Sequence, residues 1–230
     1  MKKKITILTG AGMSAESGIN TFRDAGGLWE GHDVMEVASP EGFAKNPELV
    51  LNFYNQRRRQ LQQVKPNLAH KALVELEKLF DVTIVTQNVD DLHERAGSSN
   101  IIHLHGELLK VRSTGNENRV LDWTKDLNLG DRCEQGHQLR PHIVWFSEAV
   151  PLLEQAAIAT QNADILIIIG TSMQVYPAAS LIDYAQGHVP IYFVDPRPSV
   201  SENHYNHLTV IAKTAVEGVP DLVRDLIESI

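Results

Sequence analysis

Ile165-Leu166-Ile167-Ile168-Ile169, running into Gly170-Thr171-Ser172, is the stretch whose reading decides the fold. Five large aliphatic residues without a polar interruption leave no face for water, so both sides of such a strand must be covered. That is the situation of a central strand in a parallel sheet. Similar β-rich runs occupy residues 4–9, 82–86, 101–104, 190–194 and 208–212, and the quoted run extends over 164–169. Between them, apolar residues return at three- and four-residue steps. This predicts helices over 48–63, 68–79, 152–162, 178–186 and 219–228, with Pro66 separating the first two. Strands alternating with amphipathic helices predict an α/β fold, a Rossmann-like parallel sheet with helices on both faces.

Two segments break this rhythm. One is a mostly helical excursion, and the other is polar and turn-rich, with Gly115, Asn116, Asn118, Gly130 and Gly136. The expected organisation is a large domain from 1–30, 67–106 and 143–230. A small inserted module comes from 31–66 and 107–142. The inserted part carries no sustained periodicity, so its cohesion is assigned to apolar residues such as Leu109, Val111, Leu121 and Trp123.

The chain has 230 residues, 43% of them hydrophobic and 22% charged, which supports a buried core and argues against disorder. A formal charge of −8 argues against nucleic acid as a partner, since that affinity leans on clustered Lys and Arg. Cys133 is the single cysteine, so no intrachain disulfide can form and a reducing compartment is expected. Lys2-Lys3-Lys4 runs into Ile5-Thr6-Ile7-Leu8, too short for a signal segment, and no run approaches the ~20 apolar residues of a membrane span. The expectation is a soluble cytoplasmic protein, monomeric and without a membrane partner.

Gly10-Ala11-Gly12-Met13-Ser14-Ala15-Glu16-Ser17-Gly18-Ile19 follows the first strand. Glycines there let a backbone approach a pyrophosphate, although a tight strand-to-helix turn explains Gly-x-Gly equally well. The third glycine of the dehydrogenase fingerprint is displaced to Gly18, and no acidic ribose ligand is evident after the second strand. The continuation Thr21-Phe22-Arg23 is more specific. Three further stretches end strands in order: Thr86-Gln87-Asn88-Val89-Asp90, His103-Leu104-His105-Gly106-Glu107 and Gly170-Thr171-Ser172. All four fall where open α/β sheets bind ligands. Together, over nearly the whole chain, they resemble the sirtuins, the NAD-dependent protein-lysine deacylases.

The resemblance implies NAD as cosubstrate and acylated-lysine proteins as partners. The implied products are nicotinamide, free lysine and 2′-O-acyl-ADP-ribose. Deprotonating a ribose hydroxyl suits a histidine, and spacing leaves both His103 and His105 open. In the family the base immediately precedes a glycine, which selects His105. The resemblance gives Asn88 the task of ordering ribose and water, and Asp90 that of holding the nicotinamide carboxamide. Phe22 would shield the reactive face, and Arg23 would steady phosphates or loop. The cofactor site would comprise Gly10, Ala11, Gly12, Ser14, Ala15, Glu16, Ser17, Gly18, Ile19, Trp29, Gln87, Val89, Gly170, Thr171 and Ser172. Asp195 and Ala215 would meet the adenosine half, Asp195 replacing the family's asparagine.

Acyl preference is read from the helix around Asn52-Phe53-Tyr54-Asn55-Gln56-Arg57-Arg58-Arg59. A phenol and a guanidinium three positions apart share a helix face and can grip a carboxylate. Tyr54 could pair with Arg57 or Arg58; the resemblance to desuccinylating and demalonylating sirtuins selects Arg57. Ala38 matches their small pocket residue. Acetyl groups would be weaker substrates.

Val144, Phe146 and Val175 would flank the peptide as an added strand. Trp145-Phe146-Ser147-Glu148 places serine where the family has glycine, a strain only if φ is positive. Most sirtuins hold structural zinc through two Cys-x-x-Cys pairs. Here Val111-Arg112-Ser113-Thr114 stands for the first pair, and only Cys133 and His137 remain of the second. Two ligands do not close a tetrahedral site, so zinc is not expected. Two rival readings keep the fold: a mono-ADP-ribosyltransferase, and a non-catalytic NAD or ADP-ribose sensor.

Overall fold

A computed structural model describes residues 2–20, 28–29, 31–200 and 205–229, with only the backbone described at 28–29. β1 (Lys4–Thr9) leads into the single-turn helix α1 (Gly12–Ala15). A short hairpin, β2 (Leu28–Trp29) with β3 (His32–Asp33), precedes α2 (Val34–Val37), α3 (Pro40–Lys45) and α4 (Pro47–Leu61). Then come α5 (Leu68–Glu77), β4 (Asp81–Thr86), α6 (Leu92–Ala96) and β5 (Ile101–His103). Three strands follow, β6 (Gly106–Ser113), β7 (Val120–Asp122) and β8 (Leu139–Ile143). Last are α7 (Leu153–Gln161), β9 (Ile165–Ile169), a 3₁₀ segment (Ala178–Tyr184), β10 (Ile191–Val194), β11 (Leu208–Ile211) and α8 (Ala215–Glu228).

Six strands form one parallel sheet in the order β11-β10-β9-β1-β4-β5. β1 is central; the chain winds outward through β4 and β5, then returns to wind the other way through β9, β10 and β11. The reversal opens a crevice between the carboxyl ends of β1 and β9. β9 is buried throughout. Its Ile165, Ile167 and Ile169 enter the core under α5 and α8, while Leu166 and Ile168 enter the core under α7 and the 3₁₀ segment. Alternate residues of one strand therefore feed two cores, which is what an unbroken aliphatic run requires.

Local chemistry starts the helices where they are needed. Asn67 accepts from the Ala69 and His70 amides in a capping box with His70, so α5 begins just past Pro66. A second box, Thr214 with Glu217, starts α8 four residues before the expected 219. Pro220 is tolerated inside α8, removing only the bond to the carbonyl four residues back. The segment expected as a helix over 178–186 is instead a 3₁₀ turn. Its buried pairs, Ala178 with Leu181 and Ala179 with Ile182, repeat at three residues and fit three residues per turn.

Residues 106–143 hold what the periodicity did not disclose, a three-stranded antiparallel sheet in the order β7-β6-β8. Its register shifts between Gly106 and Val111, which breaks the two-residue alternation. Val111, Leu127, Cys133 and Leu139 pack on Leu51 of α4, with Phe43 and Trp123 at the margin. Leu109 packs in the neighbouring cluster around Phe53 and Tyr54. Leu121, expected to help hold the module, is exposed because β7 is an edge strand. α4 is bolted on by polar contacts: Asn55 exchanges hydrogen bonds with the Leu127 backbone at 3.0 and 2.8 Å, and Arg58 Nε donates to Leu108 O at 3.1 Å.

The Cys133 thiol lies 3.3 Å from the Ser113 hydroxyl. Among the described residues, the side chains that converge as three possible metal ligands are Glu94, His103 and Glu107, without Cys133. No helix among them is long and apolar enough to cross a membrane. Leu139→Ala should lower unfolding free energy by about 2–5 kcal/mol in urea titration, as for other buried leucines. A chelator added to the native protein should leave its melting temperature in place; a fall would show that metal holds the module.

Candidate functional site

The crevice at the switch point widens into a cavity of about 510 Å³. Its floor is made by two glycine turns in contact. Gly12 N donates to Gly170 O at 2.8 Å and Gly10 N to Ile169 O at 3.0 Å. A Cβ on Gly12 would lie 2.6 Å from Gly170 Cα, and one on Gly10 would lie 2.7 Å from Thr171 Cβ. Neither position can carry a side chain without separating β1 from β9. Gly170 adopts φ +60°, which also favours glycine.

The loop after β4 is tied to this floor. Asn88 Nδ2 donates to Gly10 O at 3.0 Å and to Ser14 Oγ at 3.2 Å, and Ser14 Oγ donates to Asp90 Oδ2 at 2.9 Å. Gln87 Nε2 donates to Thr171 Oγ1 at 3.1 Å. Burial pushes the Asp90 carboxyl up from 3.8 to about 6, against the opposing hydrogen bonds from the Leu92 amide and the Ser14 hydroxyl.

His105 lines the cavity, and its Nδ1 meets Gln87 O at 3.1 Å. A carbonyl only accepts, so Nδ1 carries the proton and Nε2 is left with the lone pair. Burial lowers the imidazole pKa below 6.5, partly opposed by that hydrogen bond, so the ring is neutral at pH 7. β5 ends at His103, one residue short of the expected strand, and the two histidines part company there. His103 lies outside the cavity lining; its Nε2 is 2.6 Å from Glu94 Oε1 and its Nδ1 is 3.4 Å from Asn88 O.

At the opposite wall, Tyr54 and Arg57 of α4 line the same cavity, with Ala38, Val144, Phe146 and Val175. Arg58 does not. It is fully buried, with Nη1 on Asn55 Oδ1 at 2.7 Å and Nε on Leu108 O, and burial lowers it to about 10. The Arg57 guanidinium stacks on the Phe53 ring at 3.6 Å, and burial pushes the Tyr54 phenol up. Ser147 has φ +70°, so the serine-for-glycine exchange is strained, on the order of 1 kcal/mol.

Of the expected cofactor residues, Gly10, Ala11, Gly12, Ser14, Ala15, Glu16, Ile19, Gln87, Asn88, Val89, Asp90, Gly170, Thr171, Ser172, Asp195 and Ala215 line the cavity. Ser17 and Gly18 do not. They close the turn after α1, Ser17 N on Ser14 O at 3.0 Å and Gly18 at φ +97°, which carries them away from the crevice. Phe22 and Arg23 lie outside the described residues, as does the side chain of Trp29.

Glu16 is on the cavity wall, but its carboxylate accepts from the Val216 amide at 2.9 Å and the Thr214 hydroxyl at 3.1 Å. It thus anchors the glycine turn after β1 to the start of α8. Sequence reasoning missed this tie across 200 residues, and also Asn20, inside the glycine-rich signature, and Gln60 and Arg197, which line the cavity without any motif to mark them.

Sheet order and crevice define a dinucleotide-binding α/β protein. The model for the Sir2 family matches residues 10–177. A Helicobacter pylori NAD-dependent protein deacylase is 62% identical over 226 residues, covering 98% of each chain. A Bacteroides thetaiotaomicron protein of the same description is 53% identical over 231 residues, again covering 98% of each. Among solved structures, a Sir2 homologue–NAD complex superposes with TM-score 0.88 at 39% identity, covering 99% of this chain and 91% of that one. A Sir2 bound to acetylated peptide gives 0.77 at 28% identity, covering 99% and 93%. The chain belongs to the Sir2 family, the sirtuins.

Asp90 binds its proton more tightly when folded than when unfolded. Its buried charge therefore subtracts stability as pH rises from 3.8 through about 6. Asp90→Asn should stabilise the protein, by a margin that grows by on the order of 1 kcal/mol between pH 5 and pH 8. Urea titrations at the two pH values read this; a margin that stays flat would show that the carboxylate carries no such penalty.

Proposed function

We propose that the protein is an NAD-dependent protein-lysine deacylase that prefers acyl chains ending in a carboxylate, succinyl and malonyl before acetyl. The observation that carries this reading is the presence of Tyr54 and Arg57 in the same cavity as His105 and Asn88. The residues fit NAD. The volume lies in the range of cofactor sites, the floor is glycine backbone without Cβ atoms, and buried Asp90 offers an acceptor to a carboxamide. NAD, when bound, supplies the ribose that takes up the acyl group, so nicotinamide, free lysine and 2′-O-acyl-ADP-ribose are the products.

This chain's residues do the rest. The Gly10–Gly12 turn, lacking Cβ atoms at both glycines, lets the pyrophosphate approach the backbone closely. Asn88, pinned by Gly10 and Ser14, orders the ribose and a water beside it. His105 takes the ribose hydroxyl proton at Nε2, the nitrogen left basic by the Gln87 contact. Val144 and Phe146 on one side and Val175 on the other receive the peptide backbone as an added strand. Arg57 and Tyr54 receive the acyl carboxylate, and Ala38 leaves room for its chain.

The large domain binds NAD and the small module, residues 31–66 and 107–142, carries the acyl-specific wall. The relatives described as NAD-dependent protein deacylases support deacylation over ADP-ribosyl transfer. A sensor has no need of a neutral imidazole in the cavity. The enzyme is taken to act as a cytoplasmic monomer on protein substrates, in keeping with its buried free thiol and net charge of −8.

Succinyl-, malonyl- and acetyl-lysine peptides incubated with NAD, with nicotinamide release and peptide mass as readouts, test the reading. Arg57→Met should lower kcat/KM for succinyl-lysine about 10- to 150-fold more than for acetyl-lysine, the range of a charged hydrogen bond. Equal losses on both would remove the acyl preference. The acid limb of kcat/KM should lie below pH 6.5, because the base is lost only as pH falls through its depressed pKa. That limb should vanish, with at least ~100-fold of the activity, in His105→Ala. Parental release of lysine by that variant would refute the assignment.

A further inference from the structure

Beside the acyl wall, Arg112 and Arg140 are buried around Glu148, which is partly buried and itself lines the cavity. Glu148 accepts from Arg140 through both oxygens, at 2.6 and 3.1 Å, from Arg112 at 3.0 Å and from the Trp145 amide at 2.7 Å. Both guanidiniums also donate to Ile143 O, at 3.0 and 3.3 Å. The guanidinium carbon of Arg140 sits 3.3 Å from the centroid of the Trp145 ring. The indole is thus held on its face by a cation and at its backbone by the anion that positions that cation. Two cations against one anion leave positive charge behind the indole, on the same side of the cavity as Arg57.

The edge of the ring is what this grip controls. Trp145 Nε1 donates to Tyr54 Oη at 2.9 Å. An indole nitrogen has no lone pair to offer, so the phenol must accept in this bond, and its own O–H is directed away from the indole. Tyr54 and Trp145 both line the cavity. An acyl chain ending in a methyl group gains nothing from the direction of that proton, whereas a carboxylate does.

We propose that Trp145, clamped by Arg140 and Glu148, is a specificity-determining positioning residue. Its indole N–H orients the Tyr54 hydroxyl to donate to the carboxylate of an acidic acyl-lysine. The proposal rests on the carboxylate-binding role of Tyr54 and Arg57. It goes further by assigning the direction of the Tyr54 hydroxyl to a residue that need not touch the acyl group.

Steady-state kinetics of Trp145→Phe, Tyr54→Phe and the double variant test it, on succinyl- and acetyl-lysine peptides. Phenylalanine keeps an aromatic face under Arg140 and removes the donor. Trp145→Phe should lower the succinyl-to-acetyl ratio of kcat/KM about 5- to 10-fold, mainly through KM for the succinyl peptide, the size of one neutral hydrogen bond. In the Tyr54→Phe background the same change should move the ratio by less than about 2-fold, because the acceptor hydroxyl is gone. Equal losses on both peptides, or effects that multiply in the double variant, overturn the relay alone. A ratio untouched by Tyr54→Phe itself overturns the carboxylate reading of the pocket, and the relay with it.

Discussion

The contact between two glycine turns is the constraint on which the rest of this structure depends. Gly12 and Gly170 meet backbone to backbone, 2.8 Å from N to O, at the place where the sheet reverses its winding. Because no Cβ fits at Gly10 or Gly12, β1 and β9 can lie side by side to their ends. Asn88 and Ser14 hang from this contact, since Asn88 is held by the Gly10 carbonyl and Asp90 by the Ser14 hydroxyl. A displacement of the floor would therefore move the groups above it together. The tie from Glu16 to the start of α8 extends the same rigidity to the side of the cavity lined by Asp195 and Ala215.

Two ionisable groups on that frame, buried Asp90 and half-buried His105, are pushed in opposite chemical directions by the same cause. Loss of water disfavours charge, so Asp90 is raised and His105 is lowered. For a base the result is useful, since an imidazole that stays neutral keeps a lone pair at physiological pH. For Asp90 the result is a carboxylate whose ionisation costs the folded protein stability. A polar residue buried at the expense of stability is characteristic of a site shaped for a ligand.

The sheet was legible because burial on both faces removes all alternation from β9, and its short length and β-branched isoleucines favour a strand over a buried helix. The ends of those strands were legible because the chemistry there is written in short contiguous motifs. The antiparallel sheet of residues 106–143 was not legible. Its β7 is exposed throughout, β8 contains Pro141, and the shift in β6 between Gly106 and Val111 destroys the period. Arg57 and Arg58 were equal candidates on the helix, and the environment separated them. Arg58 turns into the module to serve Asn55 and Leu108 O, and Arg57 turns into the cavity. The links from Trp145 to Tyr54 and from Glu16 to Val216 span 91 and 200 residues, and no local pattern announces such pairs.

α4 ties the three-stranded sheet to one wall of the cavity. One face of the helix, Leu51, Asn55 and Arg58, is the ground on which the three-stranded sheet packs. The adjoining face, Tyr54 and Arg57, looks into the cavity. The 3.6-residue period separates these duties, so the side chains that secure the module and those that line the wall never compete for one position. The strand that returns from the module, β8, then runs directly into Trp145 and Glu148, and the Arg140 guanidinium, laid over the indole, joins the end of the sheet to the wall built by the helix. A hydrogen-bonded and ion-paired connection of this kind gains stiffness from each partner it satisfies. Glu148 accepts from two guanidiniums and one backbone amide, while the Nε atoms of Arg112 and Arg140 are buried without a hydrogen-bond partner. The strained turn at Ser147 is tolerable on the same ground, because the residues on either side of it, Phe146 and Glu148, are held by the Ala38 carbonyl and by Arg140.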